Sequence, residues 1–510
     1  YVRAVKTDMF IFVLAEMEVY GYIGSDSEKL ELADDVKNSR CQGAVTVLQT
    51  LGLMDNINDN EFGVNNLVTR GEAASLVSSV FAPGSTGGKM PFEDVDAGCL
   101  YYDGIAAAYA NGFIKLDTMF NPDNYITTNE MIIMVLRAIG YEPKLKANYL
   151  PRMLANELGL LKNTSGLNEV SRADAAIIIY NALCTNRFEE KSINKENTLY
   201  EKGDTTLESV YDMILSEGIV TENSKSTLSG AKKKIKNQIK IGTKAYFDTD
   251  DLLGDYLGKN VVFGVFKDNP EKISVVFEND KNGEVVLPAD LLKTKESDIA
   301  SHKIRTENES YSLSGGFDVI YNGMAYPNFT AKDLININGE LRLLDNNADG
   351  EYEAVFIKNF ELIRLNGAYV EDNEKIILLD RLGNRISLDK ENCTIENTEH
   401  KKTSVSKLGA NKVVKLYASK DKTQSKIVVM TEAASGTLEM LSDSEAKIDG
   451  KSFETADKIS IESGVYVQTA VTAYSDENGK LICILKNDDA ENSEWIVGFS
   501  QKVGSDDKLG

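Results

Sequence analysis

The 510-residue sequence is poor in the side chains on which zinc chemistry, acid–base catalysis and sugar stacking depend. It contains only two histidines, His302 and His400, each in a charged segment typical of a loop. These two alone cannot form a zinc site, and no serine lies in a nucleophile-elbow context. The single tryptophan, Trp495, argues against a sugar-cleaving cleft lined by several aromatic rings. These scarcities argue against an enzyme, although the abundant carboxylates leave an acid–base pair open.

Cysteine pairs and long apolar runs are also missing. The five cysteines are scattered, without the spacing of a metal finger or redox motif, and read as small apolar residues or free thiols. The apolar run Met9–Ala15 is short and is followed by Glu16 and Glu18. We therefore expect no membrane span and interpret residues 1–31 as an amphipathic lead helix.

Basic residues are too few for two classes of partner. The chain has 56 Lys and Arg against 79 Asp and Glu, which gives a formal net charge of −23. Nucleic acids and anionic membranes both require basic surface, so this charge argues against them as partners. The acidity suits a soluble exterior in a place where divalent cations are plentiful. The length predicts several domains rather than one core.

A helix-start signal occurs three times in the first third of the chain. In "VTRGEAASLV", a Thr stands three residues before a Glu at the start of an apolar run, which predicts a capping box. The three pairs are Thr69 with Glu72, Thr127 with Glu130, and Ser171 with Asp174. Each box predicts the N-terminus of a helix.

A common pattern stands upstream of each box. It predicts a first helix that ends near a glycine (Gly52, Gly112 or Gly159), then a polar loop and the capped second helix. One such unit cannot bury its apolar face alone, so three should pack together around the second helices. The predicted repeats span about 32–83, 92–141 and 147–187.

These residues resemble the S-layer homology (SLH) repeat of bacterial cell-envelope proteins. The segments that carry the resemblance are Phe92-Glu93-Asp94-Val95, Gly112-Phe113-Ile114, Phe120-Asn121-Pro122 and Thr69-Arg70-Gly71-Glu72. The resemblance covers roughly residues 32–187. It implies a pseudo-threefold helical cluster, here the all-α part of a multidomain α + β chain.

The resemblance also implies a function and a site. Family members anchor non-covalently to secondary cell-wall polysaccharide, often pyruvylated, and the box arginine contacts the acidic sugar. Here the implied glycan-binding residues are Arg70, Arg172, Gly52, Gly112 and Asp94. The alternative is that the arginines are solvated surface charges.

Independent physical reasoning supports an anion site at the arginines. Arg70 and Arg172 are each placed in the first turn of a helix, where unpaired N–H groups and the helix dipole attract anions. Repeat two has Thr128 at this position, and repeat three lacks a legible F-x-D-V start. We therefore expect at most two competent grooves.

The remaining two thirds of the chain read as strands. Residues 188–218 are predicted to be a charged linker with one helix in "TTLESVYDMILSEGIV". Beyond residue 219, several stretches alternate apolar and polar residues on both sides of a polar turn, as in β-hairpins. We expect small antiparallel barrels or sandwiches within 219–365, 366–435 and 436–510.

One hairpin loop, "DNNADGEYE", has the spacing of a calcium loop. Oxygen-bearing side chains fall at Asp345, Asn347, Asp349 and Glu353, which matches the first half of an EF-hand loop. Position twelve is Phe356 instead of a bidentate Glu, and no flanking helices are predicted. The alternative is a polar Asp-Gly turn without metal. No other cofactor is indicated.

The pattern favours an extracellular structural protein of the cell wall, such as an S-layer component that self-associates into a lattice or filament. One alternative is a wall-anchored carbohydrate-active enzyme or glycan-binding protein. Another is an assembly module that has lost glycan binding.

Overall fold

The computed structural model describes residues 30–194, 197–231, 235, 237–476 and 479–487. The chain divides into two compact units. Among the described residues, the first comprises those within 30–218, 237–254 and 261–279, and the second comprises those within 219–235, 255–260 and 280–487. Helices dominate the start of the first unit and strands dominate the rest, so the predicted mixture of α and β structure is confirmed. The predicted lead helix, residues 1–31, lies almost wholly outside the described residues.

Seven helices precede the first strand within the described residues. They are α1 (Gln42–Thr50), α2 (Arg70–Phe81), α3 (Tyr102–Ala110), α4 (Thr128–Ala138), α5 (Glu142–Lys146), α6 (Pro151–Glu157) and α7 (Arg172–Leu183). Short helices follow later: α8 (Thr206–Ser209), α9 (Glu296–Ala300) and α10 (Ala331–Ile335). The helices α2, α4 and α7 begin at the predicted boxes, since the side chains of Thr69, Thr127 and Ser171 accept a backbone N–H from the first turn. Gly52, Gly112 and Gly159 have positive φ, as predicted for left-handed helix caps.

The segments that lead into α2, α4 and α7 close a ring of backbone hydrogen bonds. The Val68 amide donates to Val170 O (2.9 Å), the Ile126 amide to Val68 O (2.9 Å), and the Val170 amide to Ile126 O (3.1 Å). All three side chains are fully buried. Each segment therefore donates to one of the other two and accepts from the remaining one, as in a cyclic arrangement of equivalent parts.

A second set of bonds surrounds this ring. The first amide of each helix donates to a loop carbonyl of another repeat. The pairs are Arg70 with Asn124, Thr128 with Asn168, and Arg172 with Asn66. The buried faces of α2, α4 and α7 join one hydrophobic core with α1, α3 and α6. The apolar second helices thus lie in a shared core, as predicted.

A paired hairpin occupies the segment that was expected to be a linker. Strands β1 (Asn186–Asn194) and β2 (Asn197–Thr205) pair antiparallel. The ring of Phe188 stacks on Tyr141 with centroids 5.0 Å apart, and its amide donates to Ile139 O (2.9 Å). The linker prediction was wrong because it relied on charge density, whereas one aromatic residue ties the strand to the helical core.

The helix predicted after this segment is also mostly wrong. Only the four residues of α8 are helical, and β3 (Met213–Glu222) follows. Its two fully buried apolar ends, Met213 and Val220, lie in a sheet, so tertiary packing overrides the local helical pattern.

Five strands form a sheet in the order β5-β4-β3-β6-β7. The further strands are β4 (Gln238–Ile241), β5 (Lys244–Phe247), β6 (Asn260–Phe266) and β7 (Val275–Glu278). Phe277 on β7 is edge-to-face with Tyr180 on α7, with centroids 6.2 Å apart. Most of this sheet therefore belongs to the helical unit, and the predicted boundaries at 187 and 218 do not separate helices from strands.

The described part of the second unit contains three further sheets. The strands are β8 (Gly283–Pro288), β9 (Lys303–Arg305), β10 (Ser310–Tyr321), β11 (Met324–Ala325), β12 (Glu340–Asp345), β13 (Tyr352–Lys358), β14 (Glu361–Glu371), β15 (Lys375–Asp380), β16 (Arg385–Asp389), β17 (Cys393–Asn397), β18 (Val413–Ala418), β19 (Ser425–Val429), β20 (Glu432–Leu441), β21 (Glu445–Ile448), β22 (Lys451–Ile461), β23 (Ala470–Ser475) and β24 (Leu481–Lys486). The orders are β11-β10-β13-β12-β8 with β9 on β10, then β16-β15-β14-β18-β19-β17, and a closed barrel β20-β21-β22-β24-β23.

The predicted hairpins are confirmed, but the sheets are not purely antiparallel. The pairs β6–β7, β12–β13, β15–β16, β18–β19 and β23–β24 are antiparallel. The pairs β10–β13, β17–β19 and β22–β24 are parallel, which corrects the all-antiparallel prediction. In each parallel pair another strand intervenes in the chain, so pairing of sequence neighbours could not predict it. Among the described helices, none combines the length and hydropathy that a membrane crossing needs.

Replacing Gly140 by Ala should destabilise the first unit strongly. Gly140 has φ +89°, and an added Cβ would lie 2.2 Å from Phe188 O, so the hairpin would have to move off the helices. Gly112→Ala is the matched control, because Gly112 has φ +74° but open space around the same position. We expect a cost of about 1 kcal/mol for Gly112→Ala from backbone strain alone, and a clearly larger one for Gly140→Ala. Thermal unfolding followed by circular dichroism compares them, and equal midpoints would contradict the hairpin contact.

Candidate functional site

Arg70 lies at the first residue of α2 and reaches into the second repeat. Its Nε donates to Phe120 O (2.8 Å), its Nη1 pairs with the Glu130 carboxylate, and its guanidinium lies 5.0 Å from the centre of the Phe120 ring. The side chain is 21% exposed. The guanidinium is thus held in one plane by an aromatic face, a carbonyl and a carboxylate, with one edge open to solvent.

Arg172, at the first residue of α7, repeats this geometry against the first repeat. Its Nε donates to Phe62 O (2.9 Å), its Nη1 to Glu72 Oε1 (2.9 Å) and its Nη2 to Asp55 O (2.8 Å). The guanidinium lies 4.8 Å from the Phe62 ring centre. With 13% of its side chain exposed, Arg172 is more enclosed than Arg70. The structure therefore places the two predicted arginines in equivalent surroundings, in two separate clusters.

Glu130 is the one of the three predicted box acids that completes a reciprocal capping box, and it also pairs across repeats, whereas at Glu72 and Asp174 only the N-cap hydroxyl makes the capping bond. Glu130 accepts from the Thr127 amide (2.9 Å) and also pairs with Arg70 of another repeat. Burial alone would raise the pKa of Glu130, but the hydrogen bonds from Thr127 and the charge of Arg70 outweigh it and lower the pKa below its ordinary value. Sequence reasoning assigned the box acids to capping alone, since cross-repeat pairing is visible only in the fold.

Asp94 fixes the loop beneath Arg70. Its carboxylate accepts the amides of Phe120 (2.7 Å) and Asn121 (2.6 Å). The equivalent Asp35 accepts the amides of Phe62, Gly63 and Val64. Both acids therefore position the aromatic residue on which an arginine rests. Asp35 was not predicted, although its "DDV" aligns with the "EDV" of the second repeat.

Gly52 and Gly112 make no hydrogen bond to Arg70 or Arg172. Their amides bond back to the helices that they terminate, Gly52 to Gln49 O (3.0 Å) and Gly112 to Tyr109 O (2.9 Å). An added Cβ at Gly112 would meet open space, so the chain there is exposed. Their observed role is to cap helices, and their predicted contact with glycan stays a prediction.

The calcium-like loop joins β12 to β13 and gathers three of its four predicted ligands. Carboxylate oxygens of Asp345, Asp349 and Glu353 all lie within 4.8 Å of one another. The fourth residue, Asn347, donates through Nδ2 to Glu353 Oε1 (3.1 Å). Burial, followed by the charges of Asp349 and Asp345, raises the pKa of Glu353. A bound cation would relieve that repulsion. The Asp345 carboxylate also accepts the amides of Asn347, Ala348 and Gly350, so the loop is a hydrogen-bonded turn without a metal, and calcium binding stays a prediction.

Comparison with known proteins bears on the arginine clusters. The S-layer homology domain family matches residues 34–74 and 91–132. The chain contains S-layer homology repeats. The matched SLH segments hold Arg70, Asp94 and Glu130, whereas Arg172 lies outside them.

Curated relatives point to the cell surface. The chain is 26% identical to the middle cell wall protein of Brevibacillus brevis over 60% of its own length and 32% of the relative. It is 27% identical to the surface layer protein of Brevibacillus choshinensis over 27% of its length and 13% of the relative. It is 31% identical to endo-1,4-beta-xylanase A of Thermoanaerobacterium saccharolyticum over 19% of its length and 9% of that protein. The chain thus spans about a third or less of the length of these relatives. The SLH match and the two wall and surface-layer relatives identify it as an extracellular, wall-associated surface protein.

Replacing Asp94 by Asn should lower stability at neutral pH and flatten its acid dependence. Burial would raise the pKa of Asp94, but the amides of Phe120 and Asn121 lower it below its ordinary value. A carboxyl group whose pKa is lowered by folding stabilises the fold at pH values above its pKa in the unfolded state. That stabilisation is lost as the pH falls through its pKa in the folded state. We expect the midpoint to fall by about 2–4 °C at pH 7, and the difference to shrink toward pH 2. Asp123→Asn, at an exposed loop residue, is the control, and a difference independent of pH would contradict this role.

Calcium should stabilise the second unit if the β12–β13 loop binds it. We expect calorimetry in 5 mM calcium to show a midpoint at least about 2 °C above that in chelator, because a ligand that binds only the folded state stabilises it. Asp349→Asn should abolish the shift. Glu351→Gln, a loop neighbour whose carboxylate is outside the cluster, should retain it. Identical wild-type midpoints in calcium and chelator would favour the metal-free turn.

Proposed function

We propose that this protein is a structural surface protein that binds an acidic secondary cell-wall polysaccharide through its SLH repeats. The observation that supports the proposal is the paired geometry of Arg70 and Arg172. Each stands at a helix N-terminus, on an aromatic ring, with its side chain partly exposed, 21% for Arg70 and 13% for Arg172. A sugar carboxylate such as a pyruvate ketal suits a planar cation of this kind.

The two clusters should differ in strength. The Nη2 of Arg70 has no hydrogen-bond partner among the described residues, while the Nη2 of Arg172 already donates to Asp55 O. A carboxylate can reach Arg70 without breaking a bond, but it must share or displace one at Arg172. We therefore expect Arg70 to contribute more of the affinity.

The fold supports a three-repeat arrangement for residues 32–187. The cyclic bonds of Val68, Ile126 and Val170 relate three helix starts in the same way, and the third lies beyond the family match. We propose that the three repeats surround a pseudo-threefold axis and that each junction between repeats forms a groove. The strand-rich remainder then serves as scaffold, consistent with relatives named as wall and surface-layer proteins.

A second candidate function is assembly without glycan. It is favoured by the fact that both arginines already pair with a carboxylate, Arg70 with Glu130 and Arg172 with Glu72. In that reading the ion pairs hold the repeats together and bind nothing else. An enzymatic role has less support, since the xylanase match covers 9% of that protein.

Co-sedimentation with peptidoglycan sacculi, with and without their secondary polysaccharide, tests the anchor. We expect polysaccharide-dependent binding by the wild type and at least about tenfold weaker binding by Arg70→Gln/Arg172→Gln, because each charge-assisted contact contributes about 1.5–3 kcal/mol. Arg70→Gln alone should cost more than Arg172→Gln alone. Arg152→Gln, at an exposed arginine of α6, is the matched control for loss of charge.

Thermal unfolding of every variant separates loss of binding from loss of fold. A folded wild type that does not bind sacculi in either form would overturn the anchor and leave the assembly role. Undiminished binding by the folded double variant would remove the arginines from the site.

A further inference from the structure

The junction between the second and third repeats lacks the box arginine. Residue 128 is Thr, and its hydroxyl donates to Leu167 O (2.6 Å) of the third repeat. By the pattern of the other two junctions, an arginine here would pair with the third box acid, Asp174. The side chain of Asp174 is only 6% exposed and receives no cation from α4. A buried carboxylate without a cation would be costly.

Arg40 supplies the missing cation from a different place in the chain. It lies just before α1, and its Nη1 donates to Asp174 Oδ1 (2.7 Å) and to Asn163 O (3.1 Å). Asp174 also accepts the amide (2.7 Å) and hydroxyl (2.6 Å) of Ser165 and the hydroxyl of Ser171 (3.0 Å), the N-cap of α7. All three box acids are therefore paired with an arginine of another repeat, two from the box position and one from the first repeat's start.

The Arg40 cluster is also the most open of the three. Its side chain is 38% exposed, against 21% for Arg70 and 13% for Arg172. Its Nε and Nη2 have no hydrogen-bond partner among the described residues. Burial would raise the pKa of Asp174, but Ser165 and Arg40 lower it below its ordinary value, so the pair stays charged at neutral pH.

We infer that Arg40 takes over the role of the arginine absent at position 128, and that the Arg40–Asp174 cluster at the start of α7 forms a third carboxylate-binding groove. The ligand part of this inference rests on the proposed function. It departs from the sequence-based expectation of at most two competent grooves.

A double-mutant cycle between Arg40 and Asp174 tests the cation role without any glycan. We expect Arg40→Ala to lower the unfolding midpoint by about 3–6 °C, as for a partly buried ion pair that loses one partner. Arg40→Ala should cost much less when Asp174 is already Asn, and Arg40→Lys should recover part of the loss. Lys37→Ala, which breaks an exposed ion pair with Asp34, is the control and should change little. Additive effects of Arg40→Ala and Asp174→Asn would overturn the pairing.

Restoring the arginine at its usual position gives a second readout. Thr128→Arg in the Arg40→Ala background should recover at least half of the lost midpoint, and in the wild type it should bring no gain because the cation is already present. A gain of equal size in both backgrounds would contradict the exchange of roles. If the larger side chain does not fit at this buried position, the cycle with Asp174 still decides.

Sedimentation with polysaccharide-bearing sacculi tests the groove. We expect Arg40→Gln alone to weaken binding at least about threefold, and to remove the binding that Arg70→Gln/Arg172→Gln retains. If the wild type binds and Arg40→Gln binds equally well, the third groove is overturned while the anchor stands. No binding by the wild type would overturn both, and the thermal cycle would still decide the cation role.

Discussion

The closed ring of three backbone hydrogen bonds is the constraint on which the helical unit depends. Val68, Ile126 and Val170 each donate to one neighbour and accept from the other, so no segment can shift without breaking two bonds. Because the bonds are made by the main chain, they tolerate changes in the side chains around them. The ring also aims the start of each second helix at another repeat. This direction explains why a box arginine finds its carboxylate across a junction and not within its own repeat.

The arginine–carboxylate pairs between repeats can both hold the repeats together and prepare an arginine to bind an anion. Pairing with Glu130 and stacking on Phe120 fix the guanidinium of Arg70 before any ligand arrives. A cation that is already immobilised loses little side-chain entropy when it binds a carboxylate. Structural pairing and anion binding are therefore compatible wherever the guanidinium keeps a free edge. They compete at Arg172, where three hydrogen bonds are already made.

Local signals predicted the parts of the fold that are local. The capping-box pattern predicted the first residues of α2, α4 and α7, and three glycines with positive φ lie where helix ends were predicted. The period-two alternation of apolar residues predicted the hairpins. The parallel strand pairs, the β1–β2 hairpin and the sheet beside α7 depend on tertiary contacts that no window of sequence contains. At the site, the positions of Arg70 and Arg172 were predicted but their partners were not. The bond from Arg40 to Asp174 spans 134 positions and has no motif.

The stacking of Phe188 on Tyr141 has a mechanical consequence. The chain leaves α7 directly into a paired hairpin that is packed on the helices, and Phe188 also stacks on Tyr200 of the returning strand. A flexible linker would extend under a pulling force before any of that force reached the helices. Here a pulling force applied beyond Thr205 acts first on the β1–β2 hydrogen bonds and on the two ring stacks that Phe188 makes. Tension is thus passed to the helical unit with little slack.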